Sequence, residues 1–169
     1  MSCGCVALVT ACGSPGSNAP ATRAVVNRAA NYMYEAPSDW LSVGDELRSR
    51  EGSLFSVRVL SLRDSDPDFV AGLPQSVFPQ LEKETRYFYQ VVEGPAVRTA
   101  TLGDGAATEV EYTVHTRASD PPARVVFWVK RWGDRLYLLR AAFAPTSPAS
   151  EEQEIRRLVS TWAFVLNSG

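Results

Sequence analysis

Residues 124–143 read RVVFWVKRWGDRLYLLRAAF. Val125, Val126, Phe127, Trp128 and Val129 make Arg124–Trp132 apolar on both faces of an extended chain. Such a strand belongs at the centre of a sheet, covered above and below. Gly133-Asp134 is a two-residue hairpin turn of the kind that needs glycine first. Leu136–Phe143 then returns as the partner strand.

Working outward, a period of two governs the preceding residues. Val110, Tyr112, Val114 and Thr116 point one way, while Glu109, Glu111, Thr113, His115 and Arg117 point the other. Gly103-Asp104-Gly105 turns the chain before this strand, and Asp120-Pro121-Pro122 breaks it afterwards. Tyr87–Val92 and Pro95–Leu102 read as two strands parted by a turn at Glu93-Gly94. Leu54–Leu62 alternates with Phe55, Val57 and Val59 on its buried side. Asn31–Glu35 reads as the first strand, closed by a turn at Ser38-Asp39-Trp40.

Two segments have a helical period. Asp64-Ser65-Asp66-Pro67 starts the first, with proline placed where a missing N–H is harmless. Phe69, Leu73, Val77 and Leu81 follow as a stripe, which Pro74 and Pro79 divide into a bent helix or two short ones. In the second, Ser150 and Gln153 form a capping box. Ile155, Leu158, Val159, Trp162 and Leu166 make its apolar stripe, with Arg156 and Arg157 facing water. Burying those five side chains is worth about 10 kcal/mol before entropy, at about 2 kcal/mol each. Helices separated by consecutive antiparallel strands define an α+β domain rather than a doubly wound one.

The element order resembles the PsbP-like fold. That fold is shared by the photosystem II extrinsic protein, a Ran-binding nuclear import factor, the DcrB group and lipoproteins of the LpqN type. Three stretches carry the likeness across residues 31–166. Pro37-Ser38-Asp39-Trp40 resembles the end of the family's first strand, and Leu136–Ala142 resembles its last strand. Ser160-Thr161-Trp162-Ala163-Phe164 resembles the end of its closing helix. The resemblance implies an antiparallel sheet of about six strands with helices packed on both faces. It also implies an adaptor, chaperone or assembly factor with no shared catalytic residues.

The three cysteines, Cys3, Cys5 and Cys12, all precede Gly13. Leu8-Val9-Thr10-Ala11-Cys12 resembles a bacterial lipobox, in which the cysteine receives diacylglycerol. By that resemblance, residues 1–12 are a signal remnant and Cys12 is the lipid attachment site. Residues 13–30, opening Gly13-Ser14-Pro15-Gly16-Ser17, are a flexible tether, and 31–169 are the domain. The implied location is the cell envelope, on the periplasmic face of the outer membrane in a Gram-negative cell. The apolar part, Val6–Ala11, is shorter than the roughly 7–15 residues of a secretory signal, and no Lys or Arg precedes it. Two readings stay open: an export signal whose true start lies upstream of Met1, or a soluble cytosolic DcrB-like chaperone or adaptor with a disordered N-terminus. Cys3-Gly4-Cys5 lacks the further ligands of a closed metal site.

Composition narrows the partners. The net charge is −2 and the pI about 5.5, so nucleic acid is not an expected partner. No run of 18 or more apolar residues occurs, which rules out a spanning helix. His115 is the single histidine, so no two-histidine metal site or His-paired relay forms within one chain. No nucleophile elbow, P-loop or dinucleotide fingerprint appears. The expectation is therefore no enzyme activity, no metal and no cofactor. Glu109 and Glu111 share a strand face, but nothing apolar is expected near them to tune acid–base work. Trp132 beside the Gly133 turn, flanked by Lys130, Arg131 and Arg135, is the candidate tip for binding a protein partner.

Overall fold

The structure, a computed structural model, describes residues 21–165. The chain runs β1 (Thr22–Asn27), β2 (Tyr32–Pro37), β3 (Leu41–Val43), β4 (Glu46–Arg48) and β5 (Leu54–Ser61). Then come α1 (Pro67–Ala71), a 3-10 turn (Gln75–Val77) and α2 (Phe78–Phe88). The second half is β6 (Val91–Leu102), β7 (Gly105–His115), β8 (Ala123–Trp132), β9 (Arg135–Phe143), α3 (Ala149–Ser160) and β10 (Ala163–Phe164).

Seven strands form one antiparallel sheet in the order β3-β4-β5-β9-β8-β7-β6. The expected count of about six missed the β3–β4 hairpin, because three-residue strands are too short to display an alternation. A smaller sheet, β1-β2-β10, stands apart from it. β8 is central and doubly covered, as its sequence requires. Val125, Phe127 and Val129 pack in one apolar layer with Val77 and Leu81 from the α2 region. Val126 and Trp128 pack in the other, with Ile155, Leu158 and Val159 of α3 and Tyr32 and Tyr34 of β2. The fold is thus α+β with helices on both faces of a large antiparallel sheet.

Five boundaries differ from the sequence expectations. Residues 22–27 fall within the expected tether but form β1, paired along its length with β2. Tyr87 and Phe88 end α2 rather than start a strand. Glu93-Gly94 is no turn: the β6–β7 register shifts between Glu93 and Ala96, and β6 continues through a bulge in which Gly94 has φ +112°. α3 is entered from Pro148 without a side-chain cap. Ser150 sits inside its first turn, and the neighbouring Glu151 turns inward to accept a hydrogen bond from Ser53 Oγ at 2.5 Å. The helix also stops at Ser160, so Trp162 is buried as the chain leaves it. Leu166 lies outside the described residues.

Candidate functional site

On the α3 face of the sheet, three arginines and three glutamates interlock across β6, β7, β8 and α3. Register places Arg98 opposite Glu109 and Glu109 opposite Trp128. Arg98 Nε donates to Glu109 Oε1 at 2.8 Å, and its Nη2 donates to Glu111 Oε2 at 2.7 Å. Trp128 Nε1 donates to Glu109 Oε2 at 2.9 Å, with Arg156 Nη1 3.6 Å from the same oxygen. Arg124 Nη2 donates to Glu152 Oε2 at 2.5 Å and lies near Glu111, while Arg156 Nη2 holds Glu152 Oε1 at 2.9 Å.

Glu109 is therefore 3 % exposed rather than facing water. Trp128 and the aliphatic stems of the arginines shield it from solvent, an arrangement that alternation along one strand could not reveal. Arg124 and Arg156 hold the Glu152 carboxyl below its usual range, and Glu109 drives the Arg98 guanidinium upward. Each charge has an opposite partner in place, so the cluster is an ion-pair lattice without a free acid or base. His115 lies at the far end of β7, about 20 Å from Glu109 along the strand, where its Nδ1 donates to the Asp120 carbonyl at 2.8 Å. Among the described residues, neither of the two depressions beside β6 includes His115.

The hairpin residues divide between the two faces of the sheet. Trp132 does not protrude: it stacks on Phe164 of β10 at 4.4 Å with the ring planes 14° apart. Lys130 lies over the same Phe164 ring, its Nζ 5.5 Å from the centroid. Arg135 donates to the Ala29 carbonyl at 3.1 Å, beside Tyr137, whose hydroxyl donates to the Ala30 carbonyl at 2.9 Å. These four side chains fasten the small sheet to the large one. Arg131 lies exposed on the opposite face, where its Nε donates to the Gly133 carbonyl at 3.3 Å. Cys12 lies outside the described residues. Among those described, no group of three or more His, Cys, Asp or Glu could hold a metal ion, and no helix is long and apolar enough to cross a membrane.

Two features went unread in the sequence. Tyr87 and Phe88, 83 % and 56 % exposed, pack edge to face at the end of α2. Two open depressions also flank β6. One, of about 410 Å³, is lined by Val70, Leu73, Val129, Leu136 and Arg131. The other, of about 360 Å³, is lined by Arg98, Glu109, Trp128, Arg156 and Ser160. Thr99 borders both. Both gather residues from distant elements, so no local motif announces them.

No protein-family model and no curated protein sequence matches the chain. Solved structures do. Cyanobacterial PsbP (CyanoP) from Synechocystis sp. PCC 6803 superposes with a TM-score of 0.65 at 14 % identity, covering 92 % of this chain and 98 % of that one. The Ran-binding protein Mog1p from Saccharomyces cerevisiae superposes with a TM-score of 0.59 at 11 % identity, covering 89 % and 98 %. A Bacteroides thetaiotaomicron protein reaches 0.55 at 10 % identity, with 86 % of this chain and 49 % of that one covered. The chain is similar to these proteins in fold.

Proposed function

Starting from a PsbP-like and Mog1-like fold, we propose that this chain is a non-catalytic protein-binding domain held at a bacterial envelope membrane by lipid on Cys12. The observation that carries the non-catalytic half is the neutralised lattice. Glu109 and Glu111 are the acid pair best placed for proton transfer, and Arg98, Arg124 and Arg156 occupy them. A general base must be free to take a proton at the operating pH. The fold likeness to a Ran-binding protein supports the same reading. Of the hairpin cations, Arg131 has no role in holding the sheets together, and it is the one we assign to partner contact.

The anchoring half rests on Leu8–Cys12 and its distance from the domain. Residues 13–21 span at most about 30 Å between that thiol and the start of β1. A single acyl chain gives weak, reversible attachment, whereas the multiple chains of a lipid-modified cysteine hold stably. Fractionation of the full-length native gene product tests this. The protein is expected in the membrane fraction, with acyl additions on Cys12 in the intact mass, and Cys12→Ala should release it. A water-soluble native product with an unmodified thiol overturns the anchor and favours the soluble adaptor.

A further inference from the structure

β6 ends the large sheet, and among the described residues no strand pairs with its outer side. We infer that this edge takes up an extended acidic segment of a partner protein as the next strand of the sheet. The inference rests on the binding reading above and names the surface and the chemistry of the partner.

The β6–β7 turn is Gly103-Asp104, flanked by the pair Leu102–Gly105. In a two-residue hairpin the flanking pair exchanges both hydrogen bonds, and every second pair beyond it does the same. Ala100 and Arg98 therefore spend their backbone groups on β7, while the N–H and C=O of Val97, Thr99 and Thr101 face outward. Those three residues are exposed. Natural edges are blunted by lysine, proline, bulges or cover. Here the bulge lies at the Gly94 end, and the other end is closed where Gly103 N donates to the Val159 carbonyl. Between them, Ala96–Thr101 carries one charge, and Arg98 folds its guanidinium back onto Glu109 and Glu111. Nothing on that stretch repels an incoming strand.

The two depressions lie on opposite faces of the sheet at Thr99. Side chains of an added strand alternate between faces, so successive residues would enter one depression and then the other. The first has an apolar floor of Val70, Leu73, Val129 and Leu136, with Arg131 at its rim and no carboxylate in its lining. The second is floored by Trp128 and rimmed by Arg98 and Arg156, which the lattice already pairs with Glu109, Glu111 and Glu152. Arg131, outside the lattice and on a lining without a carboxylate, is therefore the positive charge open to a partner. The complement is an extended segment that alternates apolar and acidic side chains.

The test uses the full chain and a short, terminally blocked peptide alternating valine and glutamate, with binding read by calorimetry and by amide hydrogen exchange. Expected are saturable binding, slowed exchange at Val97, Thr99 and Thr101, and weaker binding of a valine–lysine peptide. Thr99→Pro removes an outward donor while leaving the β7 ladder intact, and should weaken binding about tenfold. Arg131→Glu, on a side chain outside the lattice, should weaken it without touching the strand. No binding, equal binding of the lysine peptide, protection appearing elsewhere, or undiminished binding by both variants overturns the inference. So does self-association that protects the same amides without peptide, which would make a second copy the occupant. Cys12-dependent membrane retention is a separate readout, so a failed edge and a failed anchor are told apart.

Discussion

Glu109 illustrates how a strand pattern can place a side chain on the correct face and still misjudge its surroundings. Alternation put it with Glu111 and His115, away from Val110 and Tyr112, and the register agrees. What lies over that face comes from β6, β8 and α3, distant in sequence. The carboxylate is buried under Arg98, Trp128 and Arg156. Removing a buried charge leaves its partners uncompensated, which costs more than the pair contributes. Glu109→Ala is expected to destabilise the domain by about 3 kcal/mol. Glu109→Gln keeps an acceptor for Trp128 Nε1 and should cost about half as much. Urea unfolding with tryptophan fluorescence measures both, and an equal loss would mean that the charge alone matters. Trp132 shows the converse. Its place beside a turn suggested exposure, but Phe164, brought back by the last helix, covers it.

Glycine followed by aspartate opens the hairpin turns of the large sheet at Gly44, Gly103 and Gly133, each with φ +60°. The same dipeptide was read correctly at the second and third positions and overlooked at the first, where the strands are short. Two of these turns differ in what surrounds them. A Cβ on Gly133 would meet nothing within 4 Å, whereas a Cβ on Gly103 would lie 1.9 Å from the Trp162 carbonyl oxygen. Gly133→Ala should therefore cost only backbone strain, about 1 kcal/mol. Gly103→Ala must also push the end of α3 away, and should cost about 3 kcal/mol or more. Thermal melts of the two variants compare them directly, and equal losses would deny that the β6–β7 turn is seated on α3. Long elements with a full hydrophobic period, β7, β8, β9 and α3, were legible in the sequence. The short ones, β1, β3, β4 and β10, were not, because their partners supply most of the order.

The large sheet separates two apolar layers, and the titrating groups of the molecule bound its stability from both sides. Arg124 and Arg156 hold Glu152 below its ordinary value of 4.5. Burial alone would raise Glu151, but the serine hydroxyls around it, among them Ser53, which donates to it, outweigh burial and draw that carboxyl down as well. A lowered carboxylate contributes stability above its unfolded value, and that contribution is lost as pH falls through the folded one. Burial raises Tyr34 and Tyr32 above 10.0, and pushes Tyr112 up to about 12. A raised phenol contributes below its unfolded value and is lost as pH rises. The urea midpoint should therefore be flat between about pH 5 and pH 9 and fall outside those limits. Glu152→Gln should soften the acid limb and Tyr34→Phe the alkaline one. An acid limb unchanged in the first variant would remove Glu152 from this role.

The α+β class, the doubly covered central strand, the Gly133 turn and the final apolar helix all followed from residue order, since each depends on a period or a turn within one segment. The lipobox-like Cys12 is likewise a local pattern. Contacts between segments far apart in the chain settled the rest: the pairing of β10 with β2, the burial of Glu109, the cover over Trp132 and the open edge of β6 between two depressions. A side chain's periodicity reports which way it points. Whether charge, ring or solvent waits there depends on which distant element packing brings to that face.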